Sequence, residues 1–239
     1  MDLSIVIPAY EESNKIGRDI IAAAEFLMDQ KLEGEIIVVD DGSKDSTSEI
    51  ARKTPIPSGV KLKVIRYEKH HGKGFAVRTG MQASKGKYAM FADSGLCTPY
   101  HFTLCGLNLI QSEQCEIAHG SRKLPESKIV VPQPLKRRIS ARLFRLIIVY
   151  LMKVNSQLTD TQCGFKIYLG DVARSLYGEA FIDGFMFDIE IIVRAKKEGF
   201  RIKEFPIEWK ADPDSRLSLP KIPLELIREL WIIHNMLQK

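Results

Sequence analysis

Apolar and polar positions follow two different periods along the first half of the chain. Four short runs rich in apolar residues predict buried strands at 3–7, 35–39, 61–66 and 87–92. The segments between them carry apolar residues at helical spacing, which predicts helices at 15–28, 46–52 and 74–84. Buried strands that alternate with helices are typical of a parallel sheet with both faces covered. The pattern therefore predicts an α/β fold.

The pattern changes after residue 120. Three prolines and several charges predict a loop at 121–135, and a basic helical pattern follows at 136–154. The remaining predictions are a polar loop at 155–164, a helix at 185–199, strands at 201–205 and 207–209, and an amphipathic helix at 224–237. The second half is thus predicted to add amphipathic helices to the sheet of the first half.

Polar clusters follow three of the predicted strands. Tyr10 and Glu12 follow the first strand, Asp41 the second and Asp93 the fourth. The carboxyl ends of parallel strands share one edge of a sheet, where ligands bind in such folds. The run from Asp40 to Ser43 also has the composition of a simple turn and helix cap. Its place after a buried strand, with Asp93 in the equivalent position, favours a site for a nucleoside, a ribose or a cation.

A loop that contains glycine precedes the third predicted helix. Gly72 and Gly74 allow close backbone approach, and Lys73 adds positive charge at a helix N-terminus, where anions bind. The spacing matches neither a Walker loop nor a dinucleotide fingerprint. The pair His70 and His71 could bind a metal, although a solvated loop is the favoured interpretation.

Composition and charge narrow the class of protein. The chain has 239 residues, 45% of them hydrophobic, and a net charge of +5, which suits a globular protein with anionic partners. Its four cysteines form no Cys-x-x-Cys pair, so neither a zinc site nor a disulfide framework is expected. No apolar run approaches the roughly 20 residues of a transmembrane helix, and we see no signal peptide. We therefore expect a cytoplasmic protein that does not bind nucleic acid.

Several motifs resemble, in their order along the chain, those of family 2 glycosyltransferases. They are VIPAYEE (6–12), IIVVDDGSKDST (36–47), HHGKGFAVRTGM (70–81), FADSGLCTP (91–99), GSR (120–122) and TDTQCGFKIY (159–168). The later segment FDIEIIVRAKKEGFRIKEFPIEW (187–209) is similar to the polyprenyl-phosphate branch, particularly dolichyl-phosphate β-glucosyltransferases. The similarity covers nearly the whole chain, and TDTQCGFK and FDIE are its most specific parts.

The resemblance implies a fold, a domain organisation and a reaction. The fold is GT-A, a Rossmann-like, mostly parallel sheet flanked by helices. The domain is single and covers 1–239, with a nucleotide-binding half at 1–120 and an acceptor half at 121–239. The reaction is an inverting transfer of a hexose to polyprenyl or dolichyl phosphate, with UDP-glucose as the expected donor and GDP-mannose as the alternative.

Motif positions imply roles for individual residues. Those expected to bind the nucleotide part of the donor are Pro8, Tyr10, Glu12, Asp41, Lys73 and Asp93. Those expected to face the donor sugar or the acceptor phosphate are Arg122, Asp160, Gln162 and Lys166. The catalytic candidates are Asp188, where many relatives carry the base, together with Asp160 and Arg122. In the predicted basic helix, Arg137 and Arg138 are candidates to bind the lipid phosphate.

The metal motif departs from the family pattern Asp-x-Asp. The second acid is replaced by Gly95, and Cys97 is a soft ligand for a hard ion such as Mg²⁺ or Mn²⁺. Three expectations remain open: an ion held by Asp93 and the diphosphate, cations such as Lys73 in place of the ion, or a binder without catalysis. An aspartate at position 95 is expected to strengthen Mn²⁺-dependent binding unless Gly95 has a positive φ.

The chemistry of a phosphate acceptor changes what the site must supply. The second pKa of a phosphate is about 6, so the acceptor is largely ionised at neutral pH and needs little deprotonation. A general base such as Asp188 then matters less than cations that bring two phosphates together. The basic helix at 136–154 could also lie in a membrane interface, which would place the protein peripherally at the cytoplasmic face, or it could pack on the core. A transferase acting on a hydroxyl group is the rival that would need Asp188.

Overall fold

The computed structural model describes residues 1–132, 158–212, 228–233 and 235. The strands within these ranges are β1 (Leu3–Ala9), β2 (Gly34–Asp40), β3 (Lys61–Arg66), β4 (Tyr88–Ala92), β5 (Ile117–Ser121), β6 (Lys128–Val131), β7 (Phe165–Leu169), β8 (Ile202–Pro206) and β9 (Glu208–Lys210). The helices are α1 (Ile16–Asp29), α2 (Thr47–Lys53), α3 (Lys73–Ala83), α4 (Thr103–Gln111), α5 (Gly170–Gly178) and α6 (Phe187–Lys197), and residues 228–233 are also helical.

Seven of the strands form one sheet in the order β3-β2-β1-β4-β7-β5-β8, while β6 and β9 pair separately. The neighbours from β3 to β4 run parallel, as do β5 and β8. Strand β7 runs antiparallel to both of its neighbours, β4 and β5. The prediction of a mostly parallel α/β sheet flanked by helices is confirmed.

The sheet is buried on both faces, which explains why its central strands are apolar throughout. Successive residues of a strand point to opposite faces. Ile5 and Ile7 of β1 accordingly pack in one core with α1, whereas Val6 packs in the other core with α3, α5 and α6. The same alternation separates Ile36 from Ile37 in β2.

Two predictions about strand boundaries are wrong. Strand β1 does not stop at Pro8 but continues to Ala9, because its pairing with β4 ends at Val6 and Pro8 has no ladder bond to lose on that side. The predicted loop at 121–135 contains β6, which pairs with β9 about 80 residues later and is exposed along its length. The apolar run of β6, Ile129 to Val131, is short and lies between Pro125 and Pro132, so the prolines favoured a loop.

The structure also contains elements that the sequence pattern did not predict, namely α4, β5, β7 and α5. The predicted basic helix, including Arg137 and Arg138, lies outside the described residues, as does half of the predicted C-terminal helix. In the described part of the chain, no helix has the length and apolar character needed to cross a bilayer.

Helix α3 packs closely on the sheet at Gly80. A Cβ atom at this position would lie 2.2 Å from Cγ1 of Val6, much closer than two carbon atoms can approach. We predict that Gly80→Ala lowers the free energy of unfolding. Overpacking costs about 1–3 kcal/mol, and this close contact belongs at the upper end. It therefore outweighs the roughly 1 kcal/mol that alanine gains in helix propensity.

Gly178→Ala is the matched control, because a Cβ at Gly178 would meet nothing within 4 Å. Urea denaturation of both variants provides the measurement. Equal stabilities of the two variants would show that α3 does not pack on β1 as described.

Candidate active site

The candidate site lies where β1, β2 and β4 end. Ala9 and Asp40 are register partners at the ends of β1 and β2, so Tyr10 and Asp41 follow side by side. Pro8, the other predicted residue of this segment, lies within β1 opposite Val39. The three strands therefore bring together the polar residues that the sequence places after them.

Strand β7 begins at the same edge because it runs antiparallel to β4. The backbone N–H of Asp93 donates to the carbonyl oxygen of Gly164 at 2.8 Å. A Cβ at Gly164 would lie only 2.0 Å from Oδ2 of Asp93, so glycine is required for this close approach. The loop at 158–164, which holds Asp160 and Gln162, is thereby placed beside Asp93.

Asp41 holds the loop that precedes α3. Its carboxylate accepts hydrogen bonds from the backbone N–H groups of His71 at 2.9 Å and Gly72 at 2.7 Å. Nδ1 of His70 lies 2.9 Å from Oδ2 of the same carboxylate, and the His70 ring stacks on Tyr10 with centroids 4.1 Å apart. Asp41 is only 2% exposed. The structure thus brings Asp41 to the predicted edge but directs its oxygens toward the loop, and a direct contact with the nucleoside stays a prediction.

Lys73, the first residue of α3, contacts the predicted diphosphate ligand Asp93. Its Nζ lies 2.6 Å from Oδ1 of Asp93. Burial of the ammonium group opposes its charge, but the carboxylates of Asp93 and Asp188 outweigh this effect and raise the pKa of Lys73 above its usual value. Lys73 therefore stays positively charged at neutral pH.

Lys166 and Asp188 form a buried ion pair next to Lys73. Lys166 is 1% exposed and Asp188 is 3% exposed. Nζ of Lys166 also donates to the carbonyl oxygen of Thr161 at 2.9 Å. Burial raises the pKa of Asp188, while Lys166 and Lys73 oppose the rise. Together with Asp93, these residues form a row of alternating carboxylates and ammonium groups. Asp188 contacts a lysine here, and its predicted role as a catalytic base stays a prediction.

The second acid of the FDIE motif has a structural contact. Glu190 accepts hydrogen bonds from the backbone N–H groups of Phe181 and Ile182 and pairs with Arg194 at 2.9 Å. It therefore fixes the segment that leads into α6.

Arg122 and Asp160 form a bidentate ion pair at the end of β5. Nε of Arg122 donates to Oδ2 of Asp160 at 2.6 Å and Nη2 donates to Oδ1 at 2.7 Å. Cζ of Arg122 also lies 5.2 Å from the ring centroid of Trp209. Burial raises the pKa of Asp160, but the Arg122 guanidinium lowers it by more, so that the pKa falls to about 2. The predicted partners Arg122 and Asp160 are thus in contact, and both are charged.

Glu204, in β8, was not predicted from the sequence. Its two carboxylate oxygens accept hydrogen bonds from the backbone N–H groups of Thr159 and Asp160, each at 2.7 Å. Glu204 therefore orients the loop that presents Asp160. The sequence signal was an acid inside a predicted strand, between Lys203 and Phe205.

Cys163 lies between the row of charges that contains Asp93 and Lys166 and the ion pair of Arg122 with Asp160. This buried thiol lies within electrostatic reach of Asp93, Lys166, Arg122 and Asp160, and burial raises its pKa to about 12. The site is therefore one continuous cluster at the sheet edge. Nε2 of Gln162 is buried there and has no hydrogen-bond partner among the described residues.

The turn after Asp93 is fixed by an acid from α1. Asp19 is 1% exposed, and its Oδ2 accepts hydrogen bonds from the Gly95 backbone N–H at 2.7 Å and from Oγ of Ser94 at 2.9 Å. Gly95 has a φ of +98°, the left-handed region that favours glycine. A Cβ at Gly95 would lie 3.1 Å from Oδ2 of Asp212. We expected an aspartate at position 95 to strengthen Mn²⁺-dependent binding unless Gly95 has a positive φ. Gly95 does have a positive φ, so this expectation does not apply.

Asp212 belongs to a third small cluster at this edge. Its Oδ2 lies 2.7 Å from Nζ of Lys15, which also lies 3.1 Å from Oε2 of the predicted residue Glu12. Neither Lys15 nor Asp212 was predicted as a site residue.

The side chains around Asp93 fit a divalent ion poorly. The Asp93 carboxylate is paired with Lys73, and burial raises the pKa of the Cys97 thiol to about 12, so this weak ligand stays protonated. No group of three or more His, Cys, Asp or Glu residues is placed to hold a metal within residues 1–132, 158–212, 228–233 and 235. The side chains alone do not form a metal site.

The fold is that of the GT-A glycosyltransferases. Residues 4–174 match the profile of Glycosyl transferase family 2, and the chain belongs to this family, as predicted.

Comparison with individual proteins agrees with this assignment. The chain is 31% identical over 245 residues to the dolichyl-phosphate beta-glucosyltransferase of Drosophila melanogaster, covering 98% of this chain and 74% of that protein. It is 29% identical over 241 residues to the enzyme of the same name from Dictyostelium discoideum, covering 95% and 72%. The fold is similar to that of glucosyl-3-phosphoglycerate synthase from Mycobacterium tuberculosis in complex with Mg²⁺ and uridine diphosphate, with a TM-score of 0.71, 17% identity, and coverage of 98% of this chain and 79% of that one.

The ion pair at Asp160 predicts a pH dependence of stability. Because its pKa is about 2 in the folded protein and 3.8 as an unperturbed group, its contribution is complete above pH 4 and is lost as the pH falls toward 2. We predict that Asp160→Asn lowers the free energy of unfolding by about 2 kcal/mol at pH 7. The difference from the wild type should shrink at pH 3.

Urea denaturation at pH 7, 5, 4 and 3 measures this difference. Asp171→Asn is the control, since Asp171 is fully exposed and pairs with Arg174 only at the surface. A difference for Asp160→Asn that stays constant over this pH range would contradict the role of the Arg122 guanidinium.

The turn at Gly95 generates a second prediction. Gly95→Asn should destabilise the protein by about 1–3 kcal/mol because of its positive φ. Gly95→Asp should destabilise it further, because the new carboxylate meets that of Asp212, and it should not strengthen Mn²⁺ binding. In the Asp212→Asn background, the difference between the Asp and Asn variants at position 95 should disappear, which a double-mutant cycle measures. Stronger Mn²⁺ binding by Gly95→Asp would contradict this account.

Proposed function

We propose that this glycosyltransferase moves a hexose, with glucose the expected sugar, from a nucleotide sugar to a dolichyl or related polyprenyl phosphate. UDP-glucose is the proposed donor, and transfer inverts the anomeric carbon. The Drosophila and Dictyostelium relatives, which are named for glucosyl transfer to dolichyl phosphate, support the acceptor class. The observation that carries the proposal is the cluster of fixed cations at the sheet edge, Lys73, Lys166 and Arg122, each held by a carboxylate.

The cluster suits a reaction between two anions. The leaving nucleoside diphosphate and the acceptor phosphate repel each other, so the site must offset their charge with cations that do not need to reorganise. Asp160 holds one edge of the Arg122 guanidinium, through Nε and Nη2, and the side chain is 22% exposed. Its planar group is suited to bind a phosphate. We assign Arg122 to the acceptor phosphate or the donor sugar and Lys73 to the donor diphosphate.

The nucleoside is proposed to bind beside Tyr10 and His70. Their stacked rings provide a flat surface next to Asp41, and His70 is half exposed. Aromatic stacking accepts any base, so this surface does not select between uracil and guanine. GDP-mannose therefore remains the alternative donor.

Membrane association is also proposed, because the acceptor is a lipid. The support comes from the basic and apolar composition of residues 136–154, which suits an interfacial helix. A divalent ion with the diphosphate was the first expectation for charge compensation, and glucosyl-3-phosphoglycerate synthase has been crystallised with Mn²⁺ and uridine diphosphate. The proposed transfer reaction does not depend on whether a divalent ion binds with the diphosphate.

Transfer can be measured directly with purified protein. Labelled UDP-glucose and GDP-mannose are each incubated with a short-chain dolichyl phosphate in detergent, and the lipid product is counted. We predict labelled lipid from UDP-glucose, with the β configuration in its NMR spectrum, and little from GDP-mannose. Transfer only to a free hydroxyl acceptor, or to no acceptor, would contradict the proposed function.

Asp188→Asn tests whether a base is needed. A phosphate acceptor is already ionised, so this variant should lose less than about 10-fold in kcat, whereas loss of a general base costs about 10²–10⁴-fold. Arg122→Met is the matched variant, and it should lose more than Asp188→Asn because a phosphate loses its cation. Circular dichroism of both variants confirms folding, and a loss above about 10²-fold in kcat of Asp188→Asn with unchanged donor binding would assign the base to this residue.

A further inference from the structure

Two lysines contact the acids of this edge where the family pattern places a metal ion. Lys73 lies 2.6 Å from Oδ1 of Asp93, the single remaining acid of that pattern. An ammonium nitrogen at this distance occupies the position in which a carboxylate oxygen would bind a cation. It has three donors, so it can bind Asp93 and still donate to a phosphate.

The second lysine lies beside the missing acid. A side chain at Gly95 would point toward Oδ2 of Asp212, which is 3.1 Å from the position of a Cβ and 2.7 Å from Nζ of Lys15. Burial opposes the charge of Lys15, but Asp212 and Glu12 outweigh it and raise the pKa of Lys15 above its usual value. A permanent positive charge therefore stands close to where the second acid of the pattern would hold its ion.

We propose that the ammonium groups of Lys73 and Lys15 take the place of the divalent ion and hold the diphosphate of the donor, so that donor binding needs no metal. The carboxylates of Asp93, Asp212 and Glu12 position the two ammonium groups. The inference rests on the proposed function, since the ligand is the nucleotide sugar. Beyond the proposed function, we infer that side chains of the protein offset the negative charge of the donor diphosphate.

Binding of nucleoside diphosphates tests this inference apart from transfer. Isothermal titration calorimetry with UDP and with GDP is run in EDTA and again with excess Mn²⁺. The tighter of the two ligands should bind with a Kd that changes less than about threefold, since no ion contributes a charge-assisted contact. Mn²⁺ added to the protein without nucleotide, followed by electron paramagnetic resonance, should show no bound ion.

Variants of Lys73 and Lys15 test whether these two side chains bind the diphosphate. Lys73→Met and Lys15→Met should each weaken diphosphate binding in EDTA by about 10-fold or more, the effect of one charged hydrogen bond. Binding of the uncharged nucleoside should stay unchanged, which a general loss of structure would not allow. Lys53→Met is the matched control, because Lys53 pairs only with Glu49 on the surface of α2 and should bind like the wild type.

A metal-dependent site gives the opposite results. Tightening of the Kd by 10-fold or more with Mn²⁺, together with loss of that gain in Asp93→Asn or Asp212→Asn, would overturn the inference even if both lysine variants failed to fold. Absence of diphosphate binding in every condition would overturn both this inference and the proposed donor. Binding that is insensitive to EDTA without transfer to dolichyl phosphate would support the lysines and refute the proposed acceptor.

Discussion

The antiparallel position of β7 between β4 and β5 is the constraint on which the site depends. Because β7 starts where β4 and β5 end, the loop that holds Asp160 and Cys163 lies between Asp93 and Arg122. Gly164 permits the contact, since any Cβ there would overlap the Asp93 carboxyl group. A parallel β7 would place the same loop at the opposite edge of the sheet. The strand direction thus joins the two halves of the chain into one site.

We propose that the charges in this site serve substrate binding more than stability. Buried ion pairs gain little net free energy, because desolvation offsets their attraction. The described part of the site nevertheless holds several, Asp93–Lys73, Asp188–Lys166 and Asp160–Arg122. Each carboxylate holds a cation in place. A site prepared in this way can compensate the charge of a leaving diphosphate without reorganising.

Local pattern predicted β1 and β2, which are buried along their whole length, and β3, in which exposed charged residues alternate with apolar ones at its start. The bounds of β3 were predicted to the residue, and β1 and β2 within two residues. Strands β5 and β7 were missed because His119 and Lys166, which are both buried, interrupt their apolar pattern, and Lys166 belongs to the candidate site. The contact of Lys15 with Asp212 joins residues 197 positions apart, which no local pattern reports. Asp19 could have been predicted, as an acid on the apolar face of α1.

We propose that positive side chains, fixed by acids from separate segments, surround the diphosphate of the donor. A crystal structure of the protein with UDP and excess Mn²⁺, with anomalous data collected for manganese, tests it most directly. We predict that the diphosphate oxygens lie within hydrogen-bond distance of Nζ of Lys73 and of Lys15, with no manganese peak beside Asp93. A manganese peak bound by Asp93 and the diphosphate, with both lysines turned away, would contradict the account.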